Sequence, residues 1–354
     1  MTPLAGILAG RIRADGPITL ADYMAECLLH PEHGYYAARE ALGASGDFTT
    51  APEISQMFGE LLGLCLAQAW LDQGAPAPFV LAEAGPGRGT LMRDALRATR
   101  AVPGFHEALA LHLVEASEAM RTRQTDTLGR DDMTWHASVD ALPDDRPLFL
   151  LANEFFDALP VRQMHRAGRM WRESCVGLRE GALFPGLSDP KPIPALDDRL
   201  ADTQDGDIVE IRPAGQAAAA SIGRRIADRG GAALIVDYGD WRTLGDTLQA
   251  VAGHAPVDPF DNPGEADLTA HVDFEALARA APCAHSRLTP QGVFLERLGI
   301  TARAQRLARG LSGAALDEHV AAHRRLTHPD EMGRLFKVLA FYPHGANPPP
   351  GLEP

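Results

Sequence analysis

Val80-Leu81-Ala82-Glu83-Ala84-Gly85-Pro86-Gly87-Arg88-Gly89-Thr90 decides how this chain folds. An apolar run ends in an acid, glycines follow at alternate positions, and Leu91 to Ala98 continues as helix-forming sequence. A strand ending in such a turn brings bare backbone close to a ligand, because glycine has no β-carbon to hold it away. The helix behind the loop turns its free N–H groups toward the same crevice. In open α/β sheets that crevice, beyond the carboxyl ends of parallel strands, is where nucleotide-like molecules bind. Working outward, apolar runs near 79–84, 109–115, 133–137, 148–153 and 233–237 alternate with helical segments. That alternation predicts a doubly wound, mostly parallel α/β sheet.

The spacing of the glycines selects among nucleotides. A dinucleotide fingerprint, G-x-G-x-x-G, would need its third glycine at position 90. Position 90 is Thr, and the glycine comes one place early at Gly89. A dehydrogenase is therefore disfavoured. The pattern E-x-G-x-G-x-G, with Glu83, Gly85, Gly87 and Gly89, instead resembles the first motif of S-adenosylmethionine-dependent methyltransferases. The next apolar run, Leu111 to Val114, ends in Glu115. A carboxylate there can accept both hydroxyls of a ribose. As ordinary strand-end acids Glu83 and Glu115 would need no ligand; both standing beside one glycine loop favours the nucleoside site.

Ahead of this core lies a helical preface, residues 1–74. Thr19 opens one helix that stops before Pro31, and Thr50-Ala51-Pro52-Glu53 opens another, whose stripe runs from Ile54 to Trp70. The core itself is assigned to 75–154 and 208–343. Between them, 155–207 is far longer than a crossover requires. It carries short β-like pieces and an acidic, proline-bearing loop, and reads as an inserted lobe for substrate or partner. The last residues, 344–354, are proline-rich and are expected to fray.

A second informative stretch is Leu148 to Pro160, L-F-L-L-A-N-E-F-F-D-A-L-P. A buried strand delivers Asn153 and Glu154 to the sheet edge that faces the glycine loop, with Asp157 three residues on. Methyl transfer is an in-line displacement, so the protein mainly aligns an acceptor lone pair and excludes water. An amide and a carboxylate beside aromatic walls can orient an amine or guanidinium. Asp237 and Glu210 end later strands and read more readily as turn or cap residues. Phe155, Phe156 and Trp171 read as exposed aromatics suited to an interface, and a homo-oligomer stays open.

Composition narrows the partners. A net charge of −14 argues against a nucleic-acid backbone. No run of eighteen apolar residues predicts a membrane span. The four cysteines form no C-x-x-C and the histidines no H-x-x-x-H, so neither a metal nor a disulfide framework is expected.

Seven segments then carry a specific resemblance: G-D-F-T-T-A-P-E-I-S-Q-M-F-G-E-L-L-G (46–63), A-G-P-G-R-G-T-L (84–91), H-L-V-E-A-S (112–117), N-E-F-F-D-A-L-P-V (153–161), G-G-A-A-L-I-V-D-Y-G (230–239), A-D-L-T-A-H-V-D-F (266–274) and M-G-R-L-F-K-V-L-A-F-Y-P (332–343). In this order they resemble the MidA family, which includes the mitochondrial arginine methyltransferase that assists respiratory complex I assembly. The resemblance implies a class I methyltransferase fold, S-adenosyl-L-methionine as cofactor and a protein arginine as acceptor. By position, Gly85, Gly87, Gly89 and Glu115 match its cofactor site, and Asn153 and Glu154 its methyl-transfer edge. Asp47 and Thr49 to Glu53, Thr50 included, match a segment expected to fold over the cofactor as a lid. One departure is Arg212, where the family's E-V-x-P reads E-I-R-P; it places a cation near the expected acceptor lobe. The N-terminal stretch lacks the look of a transit peptide, so a bacterial, cytoplasmic homologue is expected. An assembly factor with little turnover and a small-amine methyltransferase are the competing readings.

Overall fold

Residues 2–38 and 50–354 are described in the computed structural model of the chain, in which the apolar runs become strands of one sheet. In chain order the elements that build it are α1 (Gln56–Asp72), β1 (Phe79–Ala84), α2 (Thr90–Thr99), β2 (Leu109–Val114), α3 (Glu118–Leu128), β3 (Met133–His136), β4 (Leu148–Asn153), α4 (Pro213–Arg229), β5 (Gly231–Asp240), β6 (Ala284–His285) and β7 (Phe336–Tyr342). The strands lie in the order β6-β7-β5-β4-β1-β2-β3. Pairings from β5 through β3 are parallel, and β7 runs antiparallel to β5 and to β6. This is the mostly parallel, doubly wound sheet expected from the sequence, the class I methyltransferase fold. Every residue of β1 and β4 is buried. Helix-covered parallel strands are shut off from water on both faces, which is why these runs are continuous rather than alternating.

Chain direction reverses beside β1. The chain goes from β1 outward through β2 to β3, then returns to β4 on the other side of β1. Such a reversal leaves a crevice at the strand ends. Register sets what lines it: His136, Val114, Ala84, Ala152 and Ile235 pair across five strands in one row. Glu115, Gly85 and Asn153 each stand one residue beyond that row.

Helix α1 covers the sheet and lies very close to α2. A β-carbon on Gly59 would come within 2.8 Å of the Leu91 carbonyl oxygen, and one on Gly63 within 2.6 Å of Ala95 Cα. Two glycines four apart share one helix face, and here that face has no room for a side chain. The contact is reinforced by Glu60, which is 5% exposed and accepts from Arg97 and Arg303 at 2.7 to 2.9 Å. The tail does not fray. Cys65 Sγ donates to the Pro350 carbonyl, Arg287 N–H donates to the Glu353 carbonyl, and Leu352 is buried.

Two compact units emerge: Thr49–Phe156 with Gln216–Gly239 and Leu277–Pro354, which holds this sheet, and Met1–Phe48 with Asp157–Gly215 and Asp240–Ala276. The second unit contains the expected insertion, with different limits. Its antiparallel sheet is ordered Ile18–Thr19, Met170–Arg179, Arg162–Ala167, Ile208–Ile211, with Ala182–Leu187 also paired to Met170–Arg179. Ile208–Ile211, assigned from sequence to the core, is thus a strand of the lobe, and the N-terminal preface is divided between the units. One apolar cluster joins Leu4, Leu8, Tyr23, Met24 and Cys27 to Val161, Val176 and Leu268. The Tyr23 hydroxyl donates to the Pro259 carbonyl at 2.5 Å. The insertion therefore shares a core with the first helices and with 240–276.

The tight seam between α1 and α2 yields a stability expectation. Gly63→Val should cost about 1–3 kcal/mol through overpacking. Gly10→Ala, in the helix Pro3–Asp15 with nothing within 4 Å of the new carbon, should be neutral or gain up to about 1 kcal/mol. Urea unfolding of both variants checks this; equal midpoints would refute the close-packed seam.

Candidate functional site

The glycine loop occupies the end of β1. Gly85, Gly87 and Gly89 have φ of 67°, 50° and 83°, the left-handed region in which a β-carbon is strained. Gly85 N–H donates to the Val114 carbonyl and Gly89 N–H to the Pro86 carbonyl, so the loop is pinned at both ends. A β-carbon on Gly85 would stand 3.1 Å from the Phe155 ring. Gly89 caps α2 without a side chain, leaving the backbone donors of the first turn at the loop.

Glu83 is the penultimate residue of β1 and is 2% exposed. The Met92 N–H, in the first turn of α2, hydrogen-bonds its carboxyl, but burial dominates and pushes the pKa up to about 8. Among the described residues its Oε2 has no hydrogen-bond partner. Glu115 lies across the loop and is half-buried. Its Oε1 accepts from Ser117 N–H at 2.8 Å and its Oε2 from Gln124 Nε2 at 3.1 Å. Burial raises its pKa above the ordinary range, opposed by those two donors and by Arg121. Arg121 itself donates twice to the Glu115 carbonyl. Gln124 also donates to the Gly87 carbonyl at 2.8 Å. Sequence reasoning passed over it, because a glutamine in the polar run of 118–128 carries no signal of its own.

At the end of β4, Asn153 Nδ2 donates to Glu154 Oε1 at 2.9 Å, while Asn153 Oδ1 is buried and has no partner among the described residues. Glu154 has φ of 50°, uncommon for a residue with a side chain, and a strained strand end of this sort recurs at functional sites. The turn is held by β5: Glu154 N–H donates to the Val236 carbonyl and Phe156 N–H to Asp237 Oδ2. Asp237 is a turn anchor, as its strand-end place suggested. The turn Ala51–Ile54 follows Thr50, whose side chain makes no cap, and Ala51 N–H reaches Glu154 Oε1 at 3.5 Å. Thr90 Oγ1 donates to Glu53 Oε1 at 2.6 Å, tying that turn to the start of α2. The residue that broke the dinucleotide pattern is thus the anchor of the segment expected to cover the cofactor. Asp47 lies outside the described residues.

Other expectations land elsewhere. Asp157 is buried and is assigned to the other unit, where its carbonyl accepts from Ala270 N–H. Glu210 is buried among Gln163 and Thr247, which donate to it, a structural role. Arg212 is buried and donates to the carbonyls of Leu159, His271 and Ala270. Phe156 and Trp171, read as exposed, are at most 1% exposed and belong to the core, while Phe155 is half-buried.

A sulfonium nucleoside suits this rim. Glu115 presents a carboxyl group already held by two donors, and among the described residues the buried Glu83 Oε2 and Asn153 Oδ1 have no hydrogen-bond partner. Buried polar atoms are costly to leave unpaired, so they mark where polar groups of a ligand belong.

Comparison with known proteins agrees. Residues 61–293 match the family described as S-adenosyl-L-methionine-dependent methyltransferase. The mitochondrial protein arginine methyltransferase NDUFAF7 of Mus musculus is 35% identical over 97% of this chain and 85% of its own length. Its Homo sapiens counterpart is 34% identical over 97% and 84%. A Burkholderia thailandensis superfamily member, inferred to be a methyl transferase and solved bound to S-adenosyl-homocysteine, superposes with a TM-score of 0.82. It is 30% identical, over 98% of this chain and 93% of that one.

The raised pKa of Glu83 has a testable consequence. Between the ordinary glutamate value and about 8, the folded chain holds a proton there that the unfolded chain has released. This stabilising contribution is present at low pH and is lost as pH rises through about 8. Glu83→Gln cannot ionise, so its melting temperature relative to the unmodified protein should rise from about pH 5 to about pH 9. A difference that stays flat with pH would contradict a protonated Glu83.

Proposed function

The chain belongs to the S-adenosyl-L-methionine-dependent methyltransferase family, and from that premise we propose that it methylates arginine side chains of a protein acceptor. The observation that carries the proposal is the pair Asn153–Glu154 at the rim, held beside the glycine loop by strand register. The cofactor supplies an electrophilic methyl group on a sulfonium. The residues proposed to hold it are Gly85, Gly87 and Gly89 by backbone, Glu115 at the ribose, Glu83 and Asn153 through their unpaired oxygens, and Thr50 and Glu53 in the covering segment.

Glu154 then holds the acceptor. A guanidinium spreads its charge over three nitrogens; a carboxylate that accepts from two of them draws the charge there and leaves the third with more lone-pair character. The Asn153 amide fixes the Glu154 carboxylate against rotation. Strain at φ of 50° is consistent with a side chain held for geometry rather than comfort. A protein acceptor is supported by the names of the relatives, both protein arginine methyltransferases. A nucleic-acid acceptor is opposed by the net charge of −14. By the family resemblance, a subunit of a complex I-type assembly is the first acceptor to test. No described helix is long and apolar enough to cross a membrane. Four free cysteines suit a reducing compartment such as the cytoplasm, although the named relatives are mitochondrial.

Mass spectrometry of arginine-methylated peptides, in cells with and without this protein, should find peptides methylated only in its presence. Label from the cofactor appearing only in small molecules would instead favour a small-amine acceptor. Glu154→Gln should lower kcat by about 100-fold while cofactor affinity changes little, the pattern of a group acting on the reaction rather than on binding. An unchanged kcat would remove Glu154 from the proposal.

A further inference from the structure

Gln124 is fully buried in α3, and all of its amide is used. Its two N–H hydrogens go to the Gly87 carbonyl at 2.8 Å and to Glu115 Oε2 at 3.1 Å. Its oxygen accepts from Trp135 Nε1 at 2.8 Å. The orientation of this amide follows from chemistry. An indole N–H only donates, whereas a peptide carbonyl and a carboxylate only accept. Were the amide turned over, its oxygen would face two acceptors and its amino group a donor, and every one of the three bonds would fail.

Three segments that are far apart in sequence are thereby tied at one point: the glycine loop, the strand end that carries Glu115, and β3 through Trp135. The loop also rests on α3 directly, since a β-carbon on Gly89 would lie 3.6 Å from Gln124 Cα and from Leu128 Cγ. Helix α3 has only one other buried residue, Met120. A glutamine is otherwise an expensive choice for one of two buried positions on a polar helix.

We propose that Gln124, oriented by Trp135, is a positioning residue that sets cofactor affinity by locking the Glu115 carboxylate to the Gly87 carbonyl before the cofactor arrives. The inference rests on the reading of Glu115 as the ribose acid. A carboxylate that must accept two hydroxyls gains from having its plane fixed in advance, since the ordering cost is then not charged to binding. Ser117 N–H holds one oxygen and the Gln124 amide the other, leaving further lone pairs of both for the diol. Arg121 is the charged group acting on this carboxylate.

Calorimetry with S-adenosylhomocysteine on the full chain tests the inference. Gln124→Met keeps the length of the side chain and removes both donors. It should weaken binding about 10- to 100-fold, the range for a hydrogen bond to a charged group. Donation to the charged form lowers a carboxyl pKa, so the same variant should lose affinity at a higher pH than the unmodified protein as the solution is acidified. A purely structural glutamine would leave that acid limb where it is. Trp135→Phe, which keeps an aromatic ring and removes only the orienting donor, should weaken binding about 3- to 10-fold; it carries the test if Gln124→Met does not fold. Glu115→Ala is the control. If Glu115→Ala loses binding while Gln124→Met and Trp135→Phe bind as before with the same acid limb, the positioning role is overturned and the ribose site stands. If Glu115→Ala binds as before, the ribose site is wrong and the inference falls with it.

Discussion

One register row holds the site together. His136, Val114, Ala84, Ala152 and Ile235 lie side by side in a parallel sheet, so the residues one step further emerge on a single rim. Side chains in a strand alternate faces, and a slip of one residue in any of these strands would turn its rim residue away. The row is fixed by burial. Strands β1 and β4 are buried along their whole length, with Glu83 and Asn153 at their carboxyl ends as their polar side chains, so neither has a solvent-facing side to offer an alternative register. Gly85, Glu115 and Asn153 then arrive together with no contact between their segments needed to recruit them.

What this rim does follows from how each group is held. The loop is left-handed at three glycines, which lets backbone approach a ligand closely. Glu115 is a carboxylate fixed by donors, suited to a diol. Glu83 is buried deeply enough to keep its proton near neutral pH, so the same strand end carries no full negative charge beneath the loop. Asn153 and Glu154 sit at the strained exit of β4, clamped by β5 on one side and approached by the Ala51–Ile54 turn on the other. A methyltransferase needs few reacting side chains, and this rim spends its residues on placement.

The strands and the glycine loop were legible because burial on both faces leaves long apolar runs, and because left-handed turns demand glycine. The helix starting after Thr19 was legible for a similar local reason: Thr19 Oγ1 accepts from Asp22 N–H, as its spacing implied. What escaped depends on distant partners. Ile18 pairs with Val176, which draws the first helices into the lobe. Ile208–Ile211 pairs with Arg162–Ala167, which moves the expected boundary. The proline-rich tail is held by Cys65 and Arg287, contacts that no local pattern announces. Asp157 follows Glu154 by three residues, yet belongs to the other unit. Gln124 is invisible for the same reason, since its meaning lies in Gly87, Glu115 and Trp135.

A crystal structure of the chain with S-adenosylhomocysteine tests the central claim most directly. The account places both ribose hydroxyls within hydrogen-bond distance of the Glu115 carboxylate, about 2.5–3.0 Å, with the methionyl end of the ligand running past the glycine loop toward Asn153. A nucleoside bound away from Glu115, or one whose ribose meets no carboxylate, would contradict it.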